Sequence, residues 1–219
     1  MPTSPEQKAE GWRSVTEILD YFQEPELVAW KVKVGLTDAN KISRLAAKTG
    51  SRVHELINTE WKTGSYKLKT ADNSEVRSCM EAWARFKKDY DPTIISMEDE
   101  LKHDYYKVIG HQDIRCLING ERRIDIKTSG EVRLKHWLQL GGYELCDPLY
   151  LAAILRLDRN IGTYEYVTSE DMRYNMMDLA DTYKKLIGVY DFFNQRSYGA
   201  ESVTHDSNSD STKDSPTDN

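Results

Sequence analysis

The chain has 219 residues, 39% hydrophobic and 30% charged, with a formal net charge of −6. That suits one globular domain with room for a small helical annex, and the charge alone points away from a nucleic-acid partner. The longest apolar run, 149–155, is far too short to cross a bilayer, and the opening MPTSPEQKAEGW lacks the apolar core of a signal peptide.

Residues 1–12 read as a flexible lead-in. Ser14 or Thr16 can cap a first helix through Ile18, Leu19 and Phe22. Pro25 opens a second, with Leu27, Val28 and Trp30. A third covers 39–48, with Ile42, Leu45 and Ala46 on one face. Gly50-Ser51 then opens a longer helix carrying Val53, Ile57 and Trp61. The scheme repeats over 74–90 with Val76, Met80, Trp83 and Phe86.

After Asp91-Pro92 the period becomes two. Strands are predicted over 94–102, 106–118 and 122–127, the last two joined at Asn119-Gly120, a strong hairpin signal. A helix follows over 132–146, stopped by Asp147-Pro148. Its Gly141-Gly142 pair costs about 1 kcal/mol per glycine against alanine, which predicts close packing on the sheet. Strands at 149–157 and 163–167 flank the turn 159–162. Ser169 caps a last helix to about 196, after which Ser/Asp/Thr-rich sequence reads as disordered. The order gives an α+β domain with a mixed β-sheet flanked by helices. Its segments are a lead-in at 1–12, a helical region at 13–92, a core at 93–198 and an acidic tail at 199–219.

The charge is unevenly placed. Residues 201–219 hold five acids and one base, −4 in all, which leaves −2 for residues 1–200. A body that weakly acidic can carry a local basic groove. Cys79, Cys116 and Cys146 are odd in number and far apart, as expected of reduced thiols in a cytosol-like compartment. Three cysteines cannot hold an iron–sulfur cluster by themselves.

The hairpin carries the chemistry. With a two-residue loop, paired positions sum to 239, which puts Asp113 and Asp125 on opposite faces. With a three-residue loop, Asn119-Gly120-Glu121, they sum to 240. Asp113 then faces Lys127, and Asp125 faces Arg115. Asp113, Arg115, Asp125 and Lys127 share one side, while Ile114, Cys116, Ile118, Ile124 and Ile126 share the other. Only that register separates charged from apolar side chains. Two carboxylates and a lysine so gathered read either as a solvated cross-strand ion-pair cluster or as a divalent-metal site, whose hard oxygens suit Mg²⁺ or Mn²⁺. Glu98 precedes the hairpin, His54 sits on a distant helix, and Gln139 and Tyr143 stack at i,i+4 on one helix face.

Five segments in order resemble a known family. Ser14-Val15-Thr16-Glu17-Ile18-Leu19 is similar to its opening stretch, Gly50 to His54 to its G-x-x-x-H element, and Gly110 to Asp113 to G-x-x-D. Asp125 to Ser129 matches D-x-K-T-S, and Gln139 to Tyr143 matches Q-x-x-x-Y. They resemble the RecB-like branch of the PD-(D/E)XK nucleases, nearest the mitochondrial genome maintenance exonucleases and phage-encoded nucleases. Gln112 stands where the superfamily's name has proline.

The resemblance implies a restriction-endonuclease-like core and a metal-dependent DNA exonuclease acting on single-stranded or end-containing DNA. An endonuclease with the same core, or a non-catalytic nucleic-acid-binding protein, is the alternative. It implies one or two Mg²⁺ or Mn²⁺ ions held by His54, Asp113, Asp125 and the Ile126 carbonyl. Asp113, Asp125 and Lys127 would be catalytic, and Glu98, Gln139, Tyr143, Thr128 and Ser129 would support the site or touch substrate. The setting would be a bacterial or phage-infected cytoplasm rather than the mitochondrial matrix, with a replication or recombination protein as a further partner. Trp12, Trp30, Trp61 and Tyr66 are candidates to stack bases, although helix packing accounts as well for Trp30 and Trp61. Lys31, Lys33, Lys41, Arg44, Lys48 and Arg52 are candidates to contact phosphates.

Overall fold

The computed structural model describes the backbone of residues 3–201 and the side chains of residues 3–194. Seven helices and six strands appear among them: α1 Pro5–Ala9, β1 Arg13–Ser14, α2 Val15–Tyr21, α3 Pro25–Val34, α4 Leu36–Thr63, α5 Ser74–Tyr90, β2 Thr93–His103, β3 Val108–Leu117, β4 Glu121–Lys127, α6 Leu134–Cys146, β5 Ala152–Leu157, β6 Tyr164–Thr168 and α7 Met176–Glu201. No described helix is long and apolar enough to cross a membrane.

One mixed six-stranded sheet runs β1-β3-β4-β5-β6, with β2 also on β3. β4 and β5 are parallel, joined by α6; the β2–β3, β3–β4 and β5–β6 pairs are antiparallel. Helices cover both faces. On one side α4 and α5 bring Val53, Ile57, Met80, Trp83 and Phe86 onto Ile114, Cys116, Ile118, Ile124 and Ile126. On the other, α2, α6 and α7 bring Val15, Ile18, Leu140 and Tyr183 onto Val108, Ala152 and Ile154. β5 is central and coated on both faces, so it is apolar almost throughout.

Several expectations change. The lead-in contains α1, whose Ser4 and Gln7 form a capping box, and Trp12 is buried. Ser14, not Thr16, caps α2, its hydroxyl accepting from the Glu17 N–H at 2.9 Å. The predicted third and fourth helices are one 28-residue helix, α4, running through Gly50-Ser51. Ile42 and Leu45, expected on a packed face, are exposed. Ser169 caps no helix; its hydroxyl accepts from the Ala152 N–H, and α7 starts seven residues later, with Asn175 accepting from the Met177 N–H. The helix reaches Glu201, and most of the expected acidic tail lies outside the described residues.

The glycine pair in α6 packs tightly, though not on the sheet. A Cβ at Gly141 would lie 2.7 Å from the Leu179 carbonyl oxygen of α7. Backbone cannot give way as a side-chain tip can. Gly141→Ala is therefore expected to destabilise by about 1–3 kcal/mol, overriding the helix propensity it gains. Gly188→Ala, exposed on α7 with no atom within 4 Å of the new Cβ, should stabilise by ~0.5–1 kcal/mol. Urea titration of the two variants checks the opposite signs.

The hairpin register also differs. The loop is Ile118-Asn119-Gly120, and pairs sum to 238: Leu117 with Glu121, Arg115 with Arg123, Ile114 with Ile124. Asn119 and Gly120 take positive φ, 51° and 112°. A shift of two keeps the side chains of the paired residues on their expected faces, so the five apolar residues still line the core. Asp125 no longer faces Arg115, and Asp113 no longer faces Lys127.

Candidate metal and phosphodiester site

The site occupies a gap in the sheet. One edge of β3 pairs with β2 along its whole length. The other edge pairs with β1 at Val108–Ile109 and with β4 from Ile114 onward. Between those ladders, β3 leaves room for side chains. Asp113 fills that room: its Oδ2 accepts the Ile126 N–H at 2.6 Å, a group with no ladder partner there. Asp113 thus lies in the fork rather than on a sheet face.

The β2–β3 ribbon turns over at the same point. Met97 and Ile114 sit in the core under α4 and α5, whereas Leu101 and Val108 sit in the core under α2 and α6. In an unbroken strand, residues an even number apart share a face. The reversal falls at Glu98, opposite Asp113 and between the pairs Met97–Ile114 and Asp99–Gln112. Glu98 has φ +58°, a left-handed conformation that costs a non-glycine residue about 1–2 kcal/mol. The conformation brings its carboxylate toward Asp113 and α4.

His54 reaches the fork from α4. Its Nδ1 lies 3.4 Å from Asp113 Oδ1 and 3.5 Å from Glu98 Oε1. Burial pulls the imidazole pKa down, but the Asp113 charge and the contacts with Asp113 and Glu98 outweigh it, pushing the pKa up to about 10. For Asp113, burial favours the neutral acid; His54 and then Lys127 outweigh that and hold it below the ordinary carboxylate value. One ligand atom from each of His54, Glu98 and Asp113 lies within 4.8 Å of the others.

Asp125 sits on the α6 side of β4, 1% exposed. Gln139 Nε2 donates to its Oδ1 at 3.1 Å, and Lys127 Nζ lies 2.7 Å from its Oδ2. Lys127 is the one described partner of Oδ2, so this buried oxygen keeps unused acceptor capacity. Burial pushes the carboxyl up to about 6 against the Lys127 charge. Burial opposes the Lys127 charge, yet Asp125 and Asp113 raise its pKa, and its ammonium also donates to Gln139 Oε1 at 3.0 Å. Gln139 Nε2 is 2.6 Å from the Tyr143 hydroxyl. The Tyr143 ring can lie there because residue 110 is glycine: a Cβ would come within 2.6 Å of it.

His54, Glu98, Asp113, Lys127, Gln139 and Tyr143 border an open cleft of about 1850 Å³ between α4, α6 and the α2–α3 region, and Asp125 lies just behind them. Thr128 and Ser129 line it; the Ser129 hydroxyl donates to the Glu131 carbonyl. An imidazole and three carboxylates, one of them with an under-used buried oxygen, fit a hard divalent cation. The structure gathers His54, Glu98 and Asp113 most closely, whereas Asp125 is turned to Lys127 and Gln139. Glu98 is therefore better placed than a merely supporting residue, and its positive φ had no signal in the sequence.

Among the outlying candidates, Trp30 lines the cleft, Trp61 is exposed and Tyr66 is half-buried. Trp12 is buried, with the Lys102 and Lys107 ammonium groups over its ring and its indole N–H donating to Glu10, so it is not available to a base. Arg52 is tied to Asp72 by two bonds of 2.9 and 3.0 Å and to Glu55, which takes it from the phosphate-contact set. Lys33, Lys41, Arg44 and Lys48 are exposed. His136, not singled out in the sequence, borders the cleft; burial pulls its pKa down to about 3, leaving a neutral imidazole that accepts the Arg133 N–H.

No protein-family model matches this chain, and no curated protein matches it. Its fold is similar to that of an alkaline exonuclease, LHK-Exo, from Laribacter hongkongensis: 10% identity, 90% of this chain and 99% of that one, TM-score 0.42. LHK-Exo in complex with dAMP aligns over 68% of this chain and 86% of its own at 11% identity, TM-score 0.34. The protein SSO0001 aligns over 79% and 74% at 14% identity, TM-score 0.36. Likeness at this level says nothing about chemistry, which rests on the side chains above.

Proposed function

We propose that this chain is a divalent-metal-dependent nuclease that hydrolyses DNA phosphodiester bonds, acting as an exonuclease on single-stranded or end-containing DNA. The observation that carries the reading is the convergence of His54, Glu98, Asp113, Lys127 and Gln139 at the floor of one large cleft, with Asp125 buried just behind Lys127 and Gln139. A solvated ion-pair cluster would not be buried at Asp113 and Asp125, nor recruit a left-handed glutamate.

His54, Asp113, Asp125 and the Ile126 carbonyl would hold Mg²⁺ or Mn²⁺, with Glu98 a further ligand. When bound, such an ion supplies a lowered water pKa and positive charge against the scissile phosphate. Lys127, kept charged by its two carboxylates, places an ammonium beside the attacked phosphorus. Gln139 fixes that ammonium through Oε1 and the Asp125 carboxylate through Nε2, so one amide sets the spacing of acid and base. Tyr143, with its pKa raised well above the ordinary value by burial, stays protonated and steadies Gln139. The exposed lysines of α3 and α4 supply phosphate contacts along the entering strand.

Digestion of end-labelled single- and double-stranded DNA, with free and with blocked ends, tests the reading. Cleavage is expected with Mg²⁺ or Mn²⁺ and not with a chelator, and covalently closed circles should survive. Degradation of closed circles would make it an endonuclease; absence of cleavage under every condition would refute the proposal.

A further inference from the structure

Behind the site runs a second set of polar groups, buried at its centre. Arg123 is 0% exposed, Gln112 and Glu144 1%. Arg123 Nε donates to Gln112 Oε1 at 2.7 Å. Gln112 Nε2 donates to Asp99 Oδ2 at 2.8 Å, and Ser96 closes on the same carboxylate. The other end of the guanidinium reaches Glu144 at 3.5 Å and the Asp147 carbonyl at 2.8 Å. Glu144 in turn accepts the Leu149 and Tyr150 N–H groups just beyond α6.

Each member adjoins a site residue along the chain. Asp99 follows Glu98 on β2, Gln112 precedes Asp113 on β3, Arg123 lies two before Asp125 on β4, and Glu144 follows Tyr143 on α6. Four elements that contribute to the cleft are thus tied by one chain of hydrogen bonds. Its need is plain at the fork, where the β3–β4 ladder stops at Ile114–Ile124 and no backbone bond fixes Asp113 against Asp125 beyond the Ile126 N–H. A buried ion pair is a weak source of stability, since apolar residues of similar volume often do as well. Gln112 is the hinge of the set: its amide accepts from the guanidinium through Oε1 and donates to the carboxylate through Nε2, which a carboxylate or an ammonium in its place could not do.

Resting on the metal-dependent reading above, we infer that Gln112 is a positioning residue: bridging Arg123 to Asp99, it sets the separation of Glu98, Asp113 and Asp125 and thereby the affinity of the cluster for a divalent cation. It touches neither the ion nor the substrate.

Mn²⁺ calorimetry on the full chain, with a thermal melt of each variant, tests this. Gln112→Glu keeps the Arg123 contact but turns a carboxylate on Asp99. It is expected to weaken Mn²⁺ binding ~10-fold, the scale of outer-shell losses at metal sites. Charge alone predicts the reverse, because an added anion near a cation should tighten binding. Adding Asp99→Asn to Gln112→Glu restores a donor–acceptor pair and should bring affinity back to within about threefold of wild type, again opposite to the charge effect. Should Gln112→Glu not fold, Asp99→Ala at its half-buried position leaves the Gln112 donor unpaired and should weaken Mn²⁺ several-fold. Mn²⁺ affinity at or above the wild-type value in these single variants overturns the positioning role while leaving the nuclease reading intact. Absence of Mn²⁺ binding by the wild-type chain overturns both.

Discussion

Asp125→Asn should reduce DNA cleavage by about three orders of magnitude or more while leaving the thermal midpoint within a few degrees of wild type. The rate loss follows from removing a buried anion from the cluster: a charge–charge stabilisation worth several kcal/mol in a transition state corresponds to ~10³ in rate at about 4 kcal/mol. The small effect on folding follows from the same burial. A carboxyl whose pKa is pushed up to about 6 is one whose charged form the fold holds at a cost, and an amide of equal shape removes that cost. Its Oδ1 still accepts from Gln139, and Lys127, 19% exposed, keeps Gln139 as partner and reaches water. Cleavage of labelled DNA in Mn²⁺ beside a thermal melt checks both halves. Cleavage within tenfold of wild type would remove Asp125 from the reacting centre; a large fall in melting temperature with cleavage per folded molecule unchanged would make it a structural ion pair.

Much of this site could be read from the sequence because it lies where local rules operate. Alternation along β3 and β4 assigned Ile114, Cys116, Ile118, Ile124 and Ile126 to one core, and Asp125 and Lys127 to the opposite face. Gln139 and Tyr143 follow from helical spacing. The hairpin loop was misplaced by one residue because Ile118, apolar and β-branched, looks like strand yet opens the turn; the face assignment survived because the resulting shift was even. Thr49-Gly50-Ser51 looks like a helix stop followed by a new start, and tertiary packing overrode it. Asp113 was assigned to a face because nothing local reveals the fork: that gap depends on β1, two residues long, pairing with β3 from some ninety positions away. The overturning of the β2–β3 ribbon at Glu98 and the buried network through Arg123 are likewise products of tertiary contact. Arg123 has the parity of the charged face and follows another arginine, so nothing in the sequence marked it for burial.

Arg123→Met should destabilise the fold strongly, by about 3–5 kcal/mol. The side chain is fully buried, and its loss orphans Gln112 Oε1 and the Asp147 carbonyl and leaves Glu144 a buried anion without its cation. Against a typical net stability of roughly 5–15 kcal/mol for a domain, that is a large share, equivalent to a fall of about 6–20 °C in melting temperature at this chain length. Glu144 then decides how much is recovered. Its carboxylate still accepts two backbone N–H groups after α6, and Glu144→Gln keeps an acceptor for them while removing the stranded charge. The pair Arg123→Met with Glu144→Gln is therefore expected to be less destabilised than the sum of the single changes by about 1–3 kcal/mol, the signature of groups in direct contact. Urea denaturation of the four proteins closes the cycle. Additive effects, or an Arg123→Met variant within 1 kcal/mol of wild type, would mean that the guanidinium contributes no net stability beyond what a methionine of similar reach supplies, and that its retention on β4 serves only the spacing of the cluster it backs.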